Sequence, residues 1–240
     1  MMQGNIHSIE TMGLLDGPGI RVVIFMQGCP LRCLYCHNPD TWSNEENTLM
    51  TSEELFRFIL KYKNYFVNNG GITFSGGEPL LQSPFLLEVL KLCKQFNIHT
   101  CLDTSGVGGT INEEILKYVD LVIFDIKGIN EDDYFKMTGY HIEESFAFLN
   151  LCQKLNKPLW LRQVIIPTIN DNEEYILKLK EFIKPIKNVQ KIELLPYHLL
   201  GVNKYEELKI PYRLKGIKAM DKKRCEELYK LLVDELITNK

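Results

Sequence analysis

The sequence predicts an α/β fold built from six βα units around a parallel sheet. Short apolar runs rich in β-branched residues recur along the 240-residue chain, and each is followed by a turn signal and then by a helical pattern. Several runs are almost continuously apolar, which is typical of parallel strands covered on both faces. Strands that alternate with helices require right-handed crossovers and hence a parallel sheet. This periodicity leaves two architectures open, a partly closed barrel and an open doubly wound sheet.

The apolar runs define the predicted strands. We expect strands at about Arg21–Met26, Gly71–Phe74, Ile98–Leu102, Leu121–Asp125, Leu159–Ile166 and Lys191–Leu195. Two long segments without a strand pattern, Pro30–Met50 and Tyr197–Met220, are predicted to be functional loops. No linker rich in Pro, Gly or Ser divides the chain. We therefore expect a single domain over residues 1–240.

Helix start signals define the predicted helices. Thr51-Ser-Glu-Glu54 is a capping box, which predicts a helix running to about Val67. Ser83 before Pro84 predicts an N-cap followed by proline at the first helical position, with the helix ending near Phe96. Further helices are expected at Asn112–Tyr118, Ile142–Leu155, Asn172–Ile183 and Asp221–Ile237.

Composition excludes several classes of protein. Hydrophobic residues make up 45% of the chain, charged residues make up 25%, and the formal net charge is −3. Lys and Arg are dispersed along the chain, which argues against a nucleic-acid or membrane-surface protein. The longest uncharged stretch, Asn64–Gly77, falls short of the ~18 apolar residues of a membrane-spanning helix, and Met1–Glu10 has no secretory signal pattern. We expect a cytoplasmic protein, and nothing in the sequence indicates an obligate oligomer.

The spacing of three of the seven cysteines indicates a metal centre. An odd number of cysteines without an export signal argues against a disulfide framework, and Cys93, Cys101, Cys152 and Cys225 lie in helix or strand patterns typical of core residues. Cys29, Cys33 and Cys36 form a C-x3-C-x2-C motif directly after the first predicted strand. With His37 they could bind zinc as a Cys3His site. Alternatively, three thiolates could hold a [4Fe–4S] cluster and leave one iron open.

Polar residues recur where the predicted strands end. Ser75-Gly-Gly-Glu-Pro79 follows the second strand, and its two glycines allow a ligand to approach the backbone closely. Asp103-Thr-Ser-Gly106 and Asp125-Ile-Lys127 end the third and fourth strands. Because ligands bind at the carboxyl ends of parallel strands, these groups predict either an oxygen-ligand cation site or a carboxylate clamp. Taken singly, each motif is also compatible with a turn, a helix cap or a surface ion pair.

The cysteine motif resembles that of the radical S-adenosylmethionine (SAM) superfamily, with Tyr35 at its aromatic position. The resemblance implies a partial (β/α)6 barrel and a [4Fe–4S] cluster on Cys29, Cys33 and Cys36, whose open iron chelates SAM. It implies reductive cleavage of SAM to a 5′-deoxyadenosyl radical. It also implies that Gly76, Gly77 and Glu78 hold the SAM amino group. In addition, it assigns Tyr35, Cys36, His37, Asp125, Ile126, Lys127, Arg162 and His198 to the SAM site.

Several of these motifs resemble more specifically the glycyl-radical enzyme activases. In that family an Asp-Thr pair and the Asp of a D-x-K strand end bind a monovalent cation, which implies Asp103, Thr104, Asp125 and the Ile123 carbonyl here. Asp16-Gly17-Pro18-Gly19 also matches the family, and it would line the groove for the partner's glycine loop, although the same residues are common in tight turns.

The resemblance implies a function and its partners. No Cys occurs between Cys36 and Cys93, which indicates a single cluster and favours the activase type that acts on pyruvate formate-lyase. Such an oxidoreductase abstracts hydrogen from one backbone glycine of its partner, and flavodoxin or ferredoxin reduces its cluster. Two alternatives stay open: activation of a different glycyl-radical enzyme, and a non-catalytic zinc-knuckle module.

Overall fold

One mixed sheet of eight strands organises the protein. The computed structural model describes residues 2–234. The sheet order is β3-β1-β2-β4-β5-β6-β7-β8, with β3 and β8 at its two edges. The strands are β1 (Gln3–Gly13), β2 (Arg21–Met26), β3 (Thr48–Thr51), β4 (Gly71–Gly76), β5 (His99–Thr104), β6 (Leu121–Asp125), β7 (Leu159–Ile165) and β8 (Val189–Pro196). The pairs from β2 through β8 are all parallel, which confirms the predicted α/β class and its six parallel strands.

Helices connect the parallel strands. They are α1 (Ser52–Leu60), α2 (Ser83–Gln95), α3 (Asn112–Leu116), α4 (Glu131–Thr138), α5 (Glu143–Lys154), α6 (Glu173–Ile183), α7 (Val202–Glu207) and α8 (Lys222–Val233). The capping box of α1 is confirmed, because Thr51 and Glu54 each accept a hydrogen bond from the other's backbone N–H. Asp221 caps α8 through the Arg224 N–H; the predicted end of this helix, 235–237, lies outside the described residues. Within residues 2–234, none of the helices has the length and apolar character needed to cross a membrane.

Two helix predictions need correction. The first helix ends at Leu60 instead of near Val67, because the chain turns into a short 3-10 segment at Lys63–Tyr65. Ser83 is the first residue of α2 and not its N-cap; its hydroxyl donates to the Leu80 carbonyl instead.

Four elements were not predicted. Strands β1 and β3 add an antiparallel pair beside β2, so the sheet has eight strands and not six. The alternation of β1 is interrupted by register shifts, and most of its residues are half-buried or exposed, so it lacks a strong strand pattern. Helices α4 and α7 lie in segments that were predicted to be loops or were left unassigned. Helix α4 does carry end signals, an Asn130 cap and left-handed Gly139.

The two faces of the sheet differ in character. Val22, Ile24 and Ile72 point towards the helices and belong to the main hydrophobic core. On the opposite face Cys101, Leu121 and Ile123 form a small separate cluster, against which Trp160 packs. Because side chains alternate along a strand, this second face also carries the polar residues Arg21, Thr73, Asp103, Asp125 and Arg162. The sheet therefore encloses a polar interior, as expected for a partial barrel.

Candidate active site

A cavity of about 520 Å³ lies at the carboxyl ends of the parallel strands. It brings together the loop after β2 and the ends of β4, β5, β6, β7 and β8. Fourteen of the predicted site residues line it: Cys29, Cys33, Tyr35, Cys36, His37, Gly76, Gly77, Glu78, Asp103, Thr104, Asp125, Lys127, Arg162 and His198. The structure thus joins motifs that are separated by up to 169 residues in the sequence.

The cysteine loop is held in place by backbone hydrogen bonds. The Gly28 N–H donates to the Thr41 carbonyl at 2.8 Å, and the Glu78 N–H donates to the Gly28 carbonyl at 2.8 Å. Gly28 has φ +95°, a conformation that favours glycine. On the other side of the loop, the Arg32 N–H donates to the Thr138 carbonyl at 2.7 Å. The loop is thereby fixed to the glycine motif after β4 and to the end of α4.

The three thiols fit an iron–sulfur cluster better than a single zinc ion. Zn–S bonds of ~2.3 Å in a tetrahedral site bring sulfur atoms to within about 4 Å of each other. Here the sulfur atoms of Cys29, Cys33 and Cys36 do not all lie within 4.8 Å of one another. His37, the fourth ligand of the zinc alternative, stacks instead on His198, with ring centroids 3.8 Å apart, and its Nε2 lies 3.2 Å from the His198 carbonyl oxygen.

Because these thiols are buried, their ionisation to thiolates requires a cationic group such as a metal centre. Burial raises the pKa of Cys33 to about 11 and also raises the pKa of Cys29 and Cys36. Without a partner the thiols are therefore neutral at physiological pH. Iron–sulfur and metal centres bind thiolates and reverse this preference, so the donor set suits a cluster.

The two glycines where β4 ends, Gly76 within the strand and Gly77 just after it, allow the backbone to pack closely against the cysteine loop. Gly76 has φ +103°, and a Cβ on Gly77 would collide with the Gly28 carbonyl oxygen. Other residues are excluded at these positions by conformation and by space.

Glu78 is 1% exposed, and its carboxylate accepts four hydrogen bonds from the protein. One oxygen accepts from the Leu80 N–H at 3.1 Å and from the Thr104 hydroxyl at 2.5 Å. The other accepts from the Ser105 N–H at 2.9 Å and from the Ser105 hydroxyl at 2.6 Å. Glu78 therefore ties the end of β5 to the turn after β4, and all four donors belong to the protein.

Two carboxylates and an ammonium lie at neighbouring strand ends. The Asp103 carboxylate accepts from the Ser75 hydroxyl at 2.8 Å, and burial, reinforced by Asp125, raises the Asp103 pKa to about 7. Asp125 pairs with Lys127 at 2.9 Å. Burial alone would lower the pKa of Lys127, but Asp125 and nearby groups raise it well above its ordinary value. Lys127 is consequently a permanent cation in the cavity wall.

Arg162 links the cavity to the interior of the barrel. Its Nε donates to Glu193 at 2.7 Å, its Nη1 lies 3.9 Å from Asp103, and its Nη2 donates to the Leu15 carbonyl. The guanidinium thus has acidic partners on the adjacent strand β8 and on β5, two strands away, which hold it at the edge of the cavity.

Six predicted site residues do not line the cavity. Ile123 is in register with Asp103, and its side chain is buried in the small inner cluster. Ile126 is buried, and its N–H donates to the Arg162 carbonyl. The loop 16–19 lies beneath the cavity, where Thr73 donates to the Asp16 carbonyl at 2.5 Å and Arg21 donates to the Pro18 carbonyl at 2.8 Å.

The structure adds site residues that the sequence analysis did not assign. Ser75 and Ser105 hold the carboxylates of Asp103 and Glu78. Glu193 lies opposite Arg162 in the β7–β8 register. Polar residues at alternate positions of β8 were an available signal for Glu193. Lys222, at the start of α8, also lines the cavity, and no local sequence pattern indicates that contact.

The chain is similar to known proteins in both sequence and fold. The family model for the Radical SAM superfamily matches residues 23–179, more than half of the chain. The pyruvate formate-lyase-activating enzyme of Clostridium pasteurianum is 52% identical over 237 residues, covering 98% of this chain and 100% of that enzyme. The one from Staphylococcus epidermidis is 45% identical over 241 residues, covering 96% and 95%. A crystal structure of a domain of the Bacteroides vulgatus pyruvate formate-lyase-activating enzyme matches with a TM-score of 0.56 at 24% identity, covering 69% of this chain and 94% of that one, and supports the fold.

The chain therefore belongs to the radical SAM superfamily. Within that superfamily, it belongs to the family of the pyruvate formate-lyase-activating enzymes. Membership implies SAM and a [4Fe–4S] cluster as cofactors.

Proposed function

We propose that this protein is a radical SAM activase that generates a glycyl radical on pyruvate formate-lyase. The observation that carries the proposal is the cavity of about 520 Å³ in which a three-thiol loop faces groups from five successive parallel strands. The full-length relatives at 52% and 45% identity, named for this activity, support the choice of protein substrate.

Cys29, Cys33 and Cys36 would hold the cluster through their thiolates. When bound, the cluster would supply the electron for reductive cleavage of the SAM sulfonium, and so the radical equivalent that removes a hydrogen atom from the partner's glycine. Leu31 and Tyr35 lie between these cysteines in the sequence, are buried in the main hydrophobic core and line the cavity, and they would make the surroundings of the thiols less polar. Less polar surroundings strengthen electrostatic interactions within the site.

The remaining cavity residues would bind and orient SAM. Lys127 is a buried, protonated ammonium and suits a carboxylate, and Gly76–Gly77 allow close approach of a ligand to the backbone. Arg162, in the middle of β7, and His198, two residues after β8, would lie along the nucleoside, with His37 stacked on His198. Because the Glu78 oxygens already accept four protein donors, we assign Glu78 mainly to positioning the glycine motif.

A monovalent cation would bind near Asp103 and Asp125. Burial of Asp103 close to a second carboxylate disfavours two negative charges, and a cation would relieve this repulsion. The Ile123 carbonyl is in register with Asp103 and could supply a further ligand. The Thr104 hydroxyl would have to turn away from Glu78 to take part.

The proposal also includes the electron donor, the cellular compartment and the oligomeric state of the enzyme. Flavodoxin or ferredoxin would reduce the cluster. All seven cysteines are unpaired, which suits the reducing cytoplasm. We expect a monomer.

A cysteine substitution with a matched control tests the cluster. Cys33→Ala should lose iron and sulfide and abolish release of 5′-deoxyadenosine, whereas Cys93→Ala, in the hydrophobic core, should retain the cluster. Iron analysis after anaerobic purification measures both variants. One zinc and no iron per chain would instead support the zinc-knuckle alternative.

Incubation with candidate partners tests the protein substrate. Reduced protein and SAM should give a glycyl radical signal in electron paramagnetic resonance with pyruvate formate-lyase. A signal only with another glycyl-radical enzyme would overturn that part of the proposal.

A further inference from the structure

The segment 204–224 carries an excess of positive charge. It contains eight Lys or Arg residues and three Asp or Glu residues, a net charge of +5, whereas the whole chain has a net charge of −3. The rest of the protein therefore carries −8. This asymmetry qualifies the expectation from the sequence that basic residues are evenly dispersed.

This basic segment lies against the cysteine loop. The Tyr205 hydroxyl donates to the Cys36 carbonyl at 3.0 Å, and Arg213 donates to the Arg32 carbonyl. Lys204 is 2.9 Å from Asp40, just after the loop. The segment thus contacts the cysteine loop and its flank through Lys204, Tyr205 and Arg213. Near its other end, Lys222 lines the same cavity as the three cysteines.

Most of these cations are free to bind a partner. Lys209, Arg213, Lys215, Lys218, Lys222 and Lys223 are exposed and form no ion pair with any carboxylate in the described part of the chain. On the loop itself Arg32 is exposed, and its guanidinium lies 4.9 Å from the Trp42 ring centroid. The exposed cations are therefore not neutralised within the described structure.

We propose that the surface formed by residues 204–224 and Arg32 is the docking site of an acidic one-electron carrier protein. The inference rests on the proposed function, since it supposes that the cysteine loop holds a cluster that must be reduced. The carrier gives up one electron and the cluster gains it, and no bond is made or broken. Electron transfer slows steeply with distance, so the carrier must dock directly over the loop. Opposite charge speeds such short-lived encounters, which use small interfaces.

A charge reversal with a matched control tests the proposal. The test variant is Lys215→Glu/Lys218→Glu/Lys223→Glu, and none of the three residues lines the cavity. The control, Lys61→Glu/Lys154→Glu/Lys187→Glu, changes net charge equally, but its residues precede β4, β7 and β8 at the opposite end of the barrel. The probe is flavodoxin hydroquinone, and photoreduced 5-deazariboflavin is the uncharged reference reductant.

The measurements are the rate of cluster reduction and the affinity for flavodoxin, each at low and high salt. We expect the test variant to be reduced by flavodoxin at least ~10-fold more slowly at low ionic strength, with the difference shrinking near 0.5 M salt. The control variant should match wild type, and 5-deazariboflavin should reduce all three proteins equally.

Two results would overturn the proposal: wild-type affinity and rate in the test variant, or an equal loss in the control. The affinity for pyruvate formate-lyase is measured in parallel. A test variant that keeps flavodoxin binding but loses pyruvate formate-lyase binding also overturns the proposal and reassigns the surface to the protein substrate. Failure of the proposed function is seen separately, as absence of SAM cleavage after 5-deazariboflavin reduction. In that case the affinity measurement still decides whether flavodoxin docks here.

Discussion

Replacement of Glu78 by glutamine should destabilise the fold, although the two side chains have nearly the same shape. Each carboxylate oxygen accepts one backbone N–H, from Leu80 or from Ser105, and one hydroxyl. The hydroxyls can rotate, but the backbone N–H groups cannot become acceptors. In either orientation of Glu78→Gln, the amide NH₂ faces one of those backbone N–H groups.

The cost follows from the chemistry of buried hydrogen bonds. A buried donor left unsatisfied costs about 1–3 kcal/mol, and the change also replaces stronger charge-assisted bonds with neutral ones. For a chain of this size, about 2 kcal/mol lowers the Tm by roughly 4–8 °C. The matched control is Glu114→Gln, at a surface residue of intermediate burial paired with Lys117, which should change stability by less than about 0.5 kcal/mol.

Anaerobic denaturant and thermal unfolding of the cluster-free protein measure the difference, and SAM affinity of the reconstituted protein is measured in parallel. We expect Glu78→Gln to unfold at a lower temperature than both wild type and the control. A variant that unfolds like wild type but binds SAM weakly would refute the reasoning, because Glu78 would then act only through the SAM amino group.

Three further predictions follow from the site. Burial raises the pKa of Asp103 to about 7 in the folded protein, so the stability that this carboxyl contributes is full below pH 4 and is lost as pH rises to 7. Without added cation or SAM, the free energy of unfolding of Asp103→Asn should therefore rise relative to that of wild type between pH 5 and pH 8. A difference between the two proteins that does not change with pH would contradict this sign. Gly77→Ala places a Cβ against the Gly28 carbonyl oxygen and should lower iron content after reconstitution, whereas an unchanged iron content would show that the contact can relax. Lys127→Met leaves Asp125 without its partner and should raise the Kd for SAM, measured by calorimetry, at least ~10-fold. An unchanged Kd would show that Lys127 does not bind SAM.

The parts of the structure that the sequence predicted best have strong local patterns. The parallel strands are buried apolar runs, and the first motif, Cys29 to Cys36, places three soft ligands on eight consecutive residues. Groups such as Asp103 and Asp125 were recognised as neighbours because parallel strands bring their carboxyl ends together. The predicted α1 cap depended only on Thr51 and Glu54, three positions apart, and it is confirmed.

The features that escaped prediction depend on contacts between distant residues. Strand β1 is polar on much of its length and becomes a strand only by pairing with β2 and β3. The carboxylate of Glu78 has its partners at Thr104 and Ser105, 26 and 27 positions away. The position of the basic segment beside the cysteine loop could not be predicted either, because the contact between Tyr205 and Cys36 joins residues 169 positions apart.

The most direct test of the central claim is electron paramagnetic resonance of pyruvate formate-lyase after incubation with SAM and the 5-deazariboflavin-reduced protein. The account predicts a glycyl radical signal, accompanied by one 5′-deoxyadenosine per radical and abolished by Cys33→Ala in the activase. Release of 5′-deoxyadenosine without any radical on pyruvate formate-lyase, or a radical that persists in Cys33→Ala, would contradict it.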